Sequence, residues 1–170
     1  PYRRMTAVER MVEQPLDLPG IAIIPLVTTA RAQWRLNWSK GKVSRAALER
    51  ALSLIAAVPE GRLIFIACHH PLAEPETRMS ARTHNGAQAL VALARAGADA
   101  VLTGHVHDPF DIAHEIEGRT VRMIGAGTLS ERVRITPPSF NEIRIGDGGF
   151  DVVQRTMDLA PATPLLRERA

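Results

Sequence analysis

Apolar positions along the chain follow two periods, and the switches between them outline its elements. Met5, Val8, Met11 and Val12 recur at helical spacing, and Pro15 with Pro19-Gly20 closes the pattern, so a short amphipathic helix is expected at the start. Residues 21–27 form a β-branched run containing Pro25, which predicts a strand that is bulged or near an edge. A loop holding Trp34, Asn37, Trp38 and Gly41 follows. Ser44 is a natural N-cap for a helix whose inner stripe is Ala47, Leu48, Ala51, Leu52 and Ile55, ended by Pro59 and Gly61. Residues 63–68 are apolar without alternation, as in a strand covered on both faces, and His69-His70-Pro71 lies at its carboxyl end. A polar stretch, 74–85, leads to a helix facing inward through Ala89, Leu90, Leu93 and Ala94 and stopped by Gly97. A second buried strand, 100–102, runs into Gly104-His105-Val106-His107. Alternating short strands are then expected at 111–117, 121–124, 140–145 and 150–157, separated by Gly118, by Pro137-Pro138 and by the glycines at 146–149.

Helices alternating with buried strands, then short strands, predict an α/β fold whose mixed sheet is followed by short antiparallel strands. At 170 residues, 45% of them hydrophobic, the chain can bury one sizeable core, and one unit is expected over 1–157 with a tail at 158–170. With 23% charged residues and no apolar stretch near the roughly 18 residues that span a bilayer, a soluble protein with no membrane partner is expected. A net charge of +3, spread from Arg3 to Arg169 and not gathered on one element, argues against nucleic acid. The single cysteine, Cys68, rules out an internal disulfide and a cysteine-rich zinc framework. Together with the lack of a signal-peptide pattern, this points to the cytoplasm.

The chemistry concentrates in two places. Four of the six histidines sit in the two short motifs, each just beyond the carboxyl end of an expected strand, where open α/β sheets bind ligands. If 104–107 is extended, His105 and His107 face one side, and Gly104 lets the backbone turn unobstructed. By the same rule His69 and His70 face opposite sides, so one of the two looks into the site and geometry does not choose which. Imidazoles suit zinc, iron and related divalent ions, with Asp108 and Asp111 the nearest carboxylates to complete a shell. A single histidine at a strand end is more often a packing or hydrogen-bonding residue than a ligand. Two motifs on successive strand ends weaken that reading, because every buried imidazole needs partners. Trp34 and Trp38 are read as packing before substrate contact, and Arg132 and Arg134 as a solvated strand face before a phosphate grip. Arg82 and His84 precede a helix and carry no assignment.

Cys68-His69-His70-Pro71-Leu72, then a helix, then Val101-Leu102-Thr103-Gly104-His105-Val106-His107 resembles the last two signature blocks of the calcineurin-like metallophosphoesterases. Gly127-Thr128-Leu129-Ser130, with Arg132, Arg134, Pro138, Ser139, Phe140 and Asn141, is similar to the segment that follows them in bacterial phosphodiesterase-like members. The resemblance covers about 28–157. It implies part of an α-β-β-α sandwich, with His69 and His105 holding one divalent ion (manganese, iron, zinc or similar) and His107 a second. His70 and Gly104 would lie beside the site, behind the ligands or facing substrate. The implied activity is hydrolysis of a small phosphoester, as a phosphodiesterase or phosphatase, by a hydroxide that two cations activate. The family's Asp-x-His, Gly-Asp and Gly-Asn-His blocks, the last carrying the leaving-group histidine, do not occur here. The chain is therefore expected to be the C-terminal half of such a domain, partnered by the missing N-terminal half and inactive alone. A non-catalytic module of the same fold is the alternative, and a nuclease of the superfamily would need a basic groove that the sequence does not display.

Overall fold

The computed structural model describes residues 15–29, 40–75, 77, 83–129, 137–146 and 149–157. The expected opening helix, the tryptophan loop, Arg82, Arg132, Arg134 and the tail lie outside them. Among the described residues, eight strands and two helices follow in the order β1 (Leu16–Leu18), β2 (Ile21–Pro25), α1 (Arg45–Ala56), β3 (Leu63–Ala67), α2 (Gly86–Arg95), β4 (Ala100–Thr103), β5 (Phe110–Ile116), β6 (Arg119–Gly125), β7 (Ser139–Gly146) and β8 (Gly149–Thr156).

The six-stranded sheet runs β1-β2-β3-β4-β6-β5, and β7-β8 forms a separate hairpin. Strands β2, β3, β4 and β6 are mutually parallel, while β1 and β5 pair antiparallel at the two edges. The fold is thus α/β, with a mostly parallel mixed sheet and an antiparallel addition. One expectation changes and another is narrowed. The stretch read as the close of the first helix contains β1, where Leu-Asp-Leu is too short for its alternation to register in sequence. Of the two readings of β2 the near-edge one holds: it lies next to edge strand β1, and its pairing to β3 is continuous from Ile21↔Leu63 to Pro25↔Ala67, with no bulge. Pro25 is tolerated because it lies beyond the last β1 pair, Leu16↔Ile23, where no rung of that ladder needs its missing N–H.

Period-2 alternation divides the sheet's side chains between two cores. Ala22, Ile24, Ile66, Val101, Val121 and Met123 face α1 and α2 and pack with Ala51, Ile55, Leu90 and Leu93. Ile21, Phe65, Ala100 and Ile124 face the other way and meet Ile143, Phe150 and Val152 of the hairpin. The hairpin is pinned by specific contacts. Phe65 and Phe150 meet edge-to-face at 4.6 Å, a geometry that adds roughly 1 kcal/mol beyond burial. The Arg122 guanidinium lies 4.6 Å from the centre of the Phe150 ring and donates to the Phe150 carbonyl at 2.9 Å.

Helix α1 starts as the sequence implies, with Ser44 Oγ accepting from the Ala47 N–H at 3.1 Å. Helix α2 starts differently: Asn85 adopts left-handed backbone and spends its side-chain amide on the Val43 carbonyl, 3.1 Å away. A Cβ on Gly86 would lie 2.2 Å from the Leu72 carbonyl oxygen, so only glycine lets this helix rest on the loop that follows the histidine pair.

Candidate metal centre

The sheet's own hydrogen-bond ladder builds the site. Beyond β3 and β4 the parallel pairing continues for two further rungs, Cys68 N–H to the Leu102 carbonyl at 2.9 Å and Gly104 N–H to the His69 carbonyl at 3.1 Å. These rungs set the two histidine motifs side by side at the carboxyl ends of adjacent strands. His105 Nδ1 and His69 Nε2 are 3.1 Å apart. His70 joins them, its ring centre 4.4 Å from that of His105 and 4.6 Å from that of His69. Ring nitrogens of His69, His70 and His105 all fall within 4.8 Å of one another.

Both members of the adjacent pair therefore reach one place, against the alternation rule. The reason is local: the chain leaves extended geometry after Ala67, and the backbone bends at His69 and His70. The second motif is not extended either. His105 and His107 sit at φ +64 and +57, and Val106 N–H closes a three-residue turn on the Gly104 carbonyl at 2.8 Å with His105 at its centre. A turn of this hand is rare for residues that carry a Cβ. Gly104 does not supply the left-handed residue, and a Cβ there would come no closer than 3.9 Å to His69. The special conformations fall on the histidines themselves, as strained backbone often does at functional sites.

His107 is exposed and stands outside the three-histidine group. It remains near enough for its charge to act on His105, whose pKa is lowered first by burial and then by the neighbouring His69 and His107. Low basicity keeps His105 in the neutral form that ligates metals. Of the two nearby carboxylates, Asp111 points to the hairpin side and is engaged by both Nε and Nη2 of Arg122. Asp108 is half-buried and, like Asp111, is absent from the group. Cys68 is no ligand as it stands: its thiol donates to the His70 carbonyl at 3.3 Å, and burial pushes its pKa up to about 12. An open cleft of about 410 Å³ lies alongside, lined by residues 25–29 after β2 and by Ala67, Cys68 and His69.

No family model matches the chain, and no curated protein matches it.

Two residues of the site escaped the sequence reading. Thr28 Oγ1 accepts from the His70 backbone N–H at 3.1 Å and lies 3.0 Å from His70 Nδ1. Gly41 packs so closely that a Cβ there would sit 2.6 Å from His70 Cβ and Cγ. Thr28 lies three residues past the end of β2, so the rule that ligands collect at carboxyl strand ends was the signal available for it. Gly41 carried no signal, because its contact with His70 exists only in three dimensions.

Donor geometry offers a test of fit to a cation. Two nitrogen ligands on a tetrahedral ion, each roughly 2.05 Å from it, stand about 3.3 Å apart. The 3.1 Å between His69 and His105 is close to that spacing. Two neutral imidazoles whose bare nitrogens meet at this distance repel unless a proton or a cation lies between them.

Proposed function

We propose that this chain carries part of the metal centre of a phosphoester hydrolase of the metallophosphoesterase type, a phosphodiesterase or phosphatase acting on small substrates in the cytoplasm. The observation that carries the reading is the convergence of His69 and His105, 3.1 Å apart at the ends of adjacent parallel strands. Helices on one face of the sheet and a hairpin on the other are compatible with half of an α-β-β-α sandwich.

In this reading His69 and His105 hold one divalent cation, and exposed His107 contributes to a second. Divalent cations at such a site lower the pKa of water and offset charge on phosphate oxygens. The chain's own residues orient and insulate. The Gly104–His69 rung fixes the separation of the two strand ends, the Val106–Gly104 turn aims His105, and Thr28 with Gly41 immobilises His70. The carboxylates that a two-cation site needs would come from a preceding segment of the same domain. That no carboxylate joins the histidine group among the described residues favours, as a second reading, a module that binds metal without catalysis.

The test is metal uptake by the full 170-residue chain, measured by equilibrium dialysis against zinc and manganese followed by elemental analysis. His69→Ala and His105→Ala are each expected to abolish uptake, and His107→Ala to leave one ion bound. Unchanged metal content in the first two variants would sink the proposal.

A further inference from the structure

The cleft beside the histidine group has no part in holding a metal. Its volume of about 410 Å³ falls within the roughly 300–1,000 Å³ of small-molecule sites. The end of the β2–β3 ladder forms part of its wall. Pro25 and Ala67 are the last pair of that ladder, and the Leu26 N–H extends it by one bond to the Ala67 carbonyl at 2.8 Å. Ile23 and Phe65, two positions earlier in the same strands, face the hairpin side of the sheet, so Pro25 and Ala67 share that face. Both are half-buried, as is Val27, so part of each remains in contact with water. Exposed His69 lines the same cleft.

The chemistry of the wall is one-sided. No lysine, arginine, aspartate or glutamate stands among its described residues, and its exposed polar side chains are those of Thr29 and His69. A second anionic group on a substrate would meet no cationic side chain there, and an ammonium group would meet no carboxylate. A polyol would find few hydrogen-bonding partners for the water it gives up. An uncharged apolar group carries none of these costs and is favoured in proportion to the area it covers.

We infer that the cleft seats the organic group of the substrate and that this group is uncharged and apolar. The site then takes an alkyl or aryl phosphoester, with the phosphate on the cation at His69 and His105 and the ester group against Pro25, Val27 and Ala67. This choice of substrate rests on the proposed metal centre, since the described wall has no other group to hold a phosphate.

Binding to the zinc-loaded 170-residue chain tests it, with methyl phosphate, phenyl phosphate and glycerol 3-phosphate as probes of matched charge. Phenyl phosphate is expected to bind about tenfold more tightly than methyl phosphate, the scale of taking roughly 60 Å² of apolar surface out of water. Glycerol 3-phosphate should gain nothing over methyl phosphate. Val27→Asn should bring the phenyl-to-methyl ratio toward one. In the chain labelled with nitrogen-15, the amide signals of Val27 and Ala67 should move with phenyl phosphate and stay in place with methyl phosphate. If Val27→Asn fails to fold, the ratio in the unaltered chain and these signals decide the point.

A chain that takes up no zinc overturns the proposed function, and the choice of substrate falls with it. Zinc uptake with no phosphate binding, with equal affinity for the phenyl and methyl esters, or with a ratio indifferent to Val27→Asn overturns the choice of substrate alone. So does phenyl phosphate that binds as tightly without zinc, which would mark the cleft as a seat for another protein segment.

Discussion

His105 combines three properties that rarely coincide: left-handed backbone, partial burial, and a pKa lowered by burial first and by His69 and His107 after it. The sign of its effect on stability follows. In the folded chain the ring stays neutral below its ordinary value of about 6.5, where the unfolded chain has already taken up a proton. Its contribution is therefore complete above that value and is lost as pH falls through the lowered one. Urea unfolding of the metal-free chain should show a midpoint that drops between about pH 7.5 and about pH 5.5, and a smaller drop in His105→Gln. Equal drops would assign the titration to another group. Cys68 makes the opposite kind of prediction. With its thiol held up to about 12 by burial, it should resist a chromogenic disulfide reagent at neutral pH in the native chain and react fully once unfolded. Rapid labelling of the native state would show that the thiol is not sunk as described.

At the scale of elements, the meeting of α2 with the loop after β3 decides how firmly His70 is held. Gly86→Ala should gain helix propensity worth about 1 kcal/mol. The new Cβ would fall 2.2 Å from the Leu72 carbonyl oxygen, a backbone atom that cannot swing aside. Overpacking of this kind costs roughly 1–3 kcal/mol, so net destabilisation is expected, read as a lower denaturation midpoint. A midpoint that rises would mean that the loop yields freely. The same elements show what the sequence discloses. Both helices, the buried strands β3 and β4 and the carboxyl-end location of the histidines were legible, because hydrophobic period and caps are local properties. Strand β1, the parallel seating of β6 beside β4, and the contacts of Thr28 and Gly41 with His70 were not, since each depends on a partner distant in the chain. The orientation of the histidines was misjudged for a related reason. An alternation rule holds only where the backbone is extended, and the bends at His69 and His70 and the turn at His105 lie just past the ends of their strands.

For the whole molecule, no helix among the described residues is long and apolar enough to cross a membrane. Among the described residues, the sheet is covered by helices on one face and by a hairpin on the other, where Arg122 ties Asp111 and Phe150 together. Among the described residues, three imidazoles gather without a carboxylate, which two-cation chemistry needs. Purified 1–170 chain is accordingly expected to take up zinc yet show no metal-dependent hydrolysis of a chromogenic phosphodiester. Turnover above the buffer rate that is lost in His105→Ala would show that the 170-residue chain suffices.

The rung joining Gly104 to His69 ties the spacing of the imidazoles to the strand separation that runs through the entire sheet. The backbones of the two motifs cannot approach or separate unless a strand moves with them. At the proposed metal site, trimming Ile66 or Val101, both wholly enclosed in the sheet, should therefore register as an altered ratio of zinc to manganese affinity.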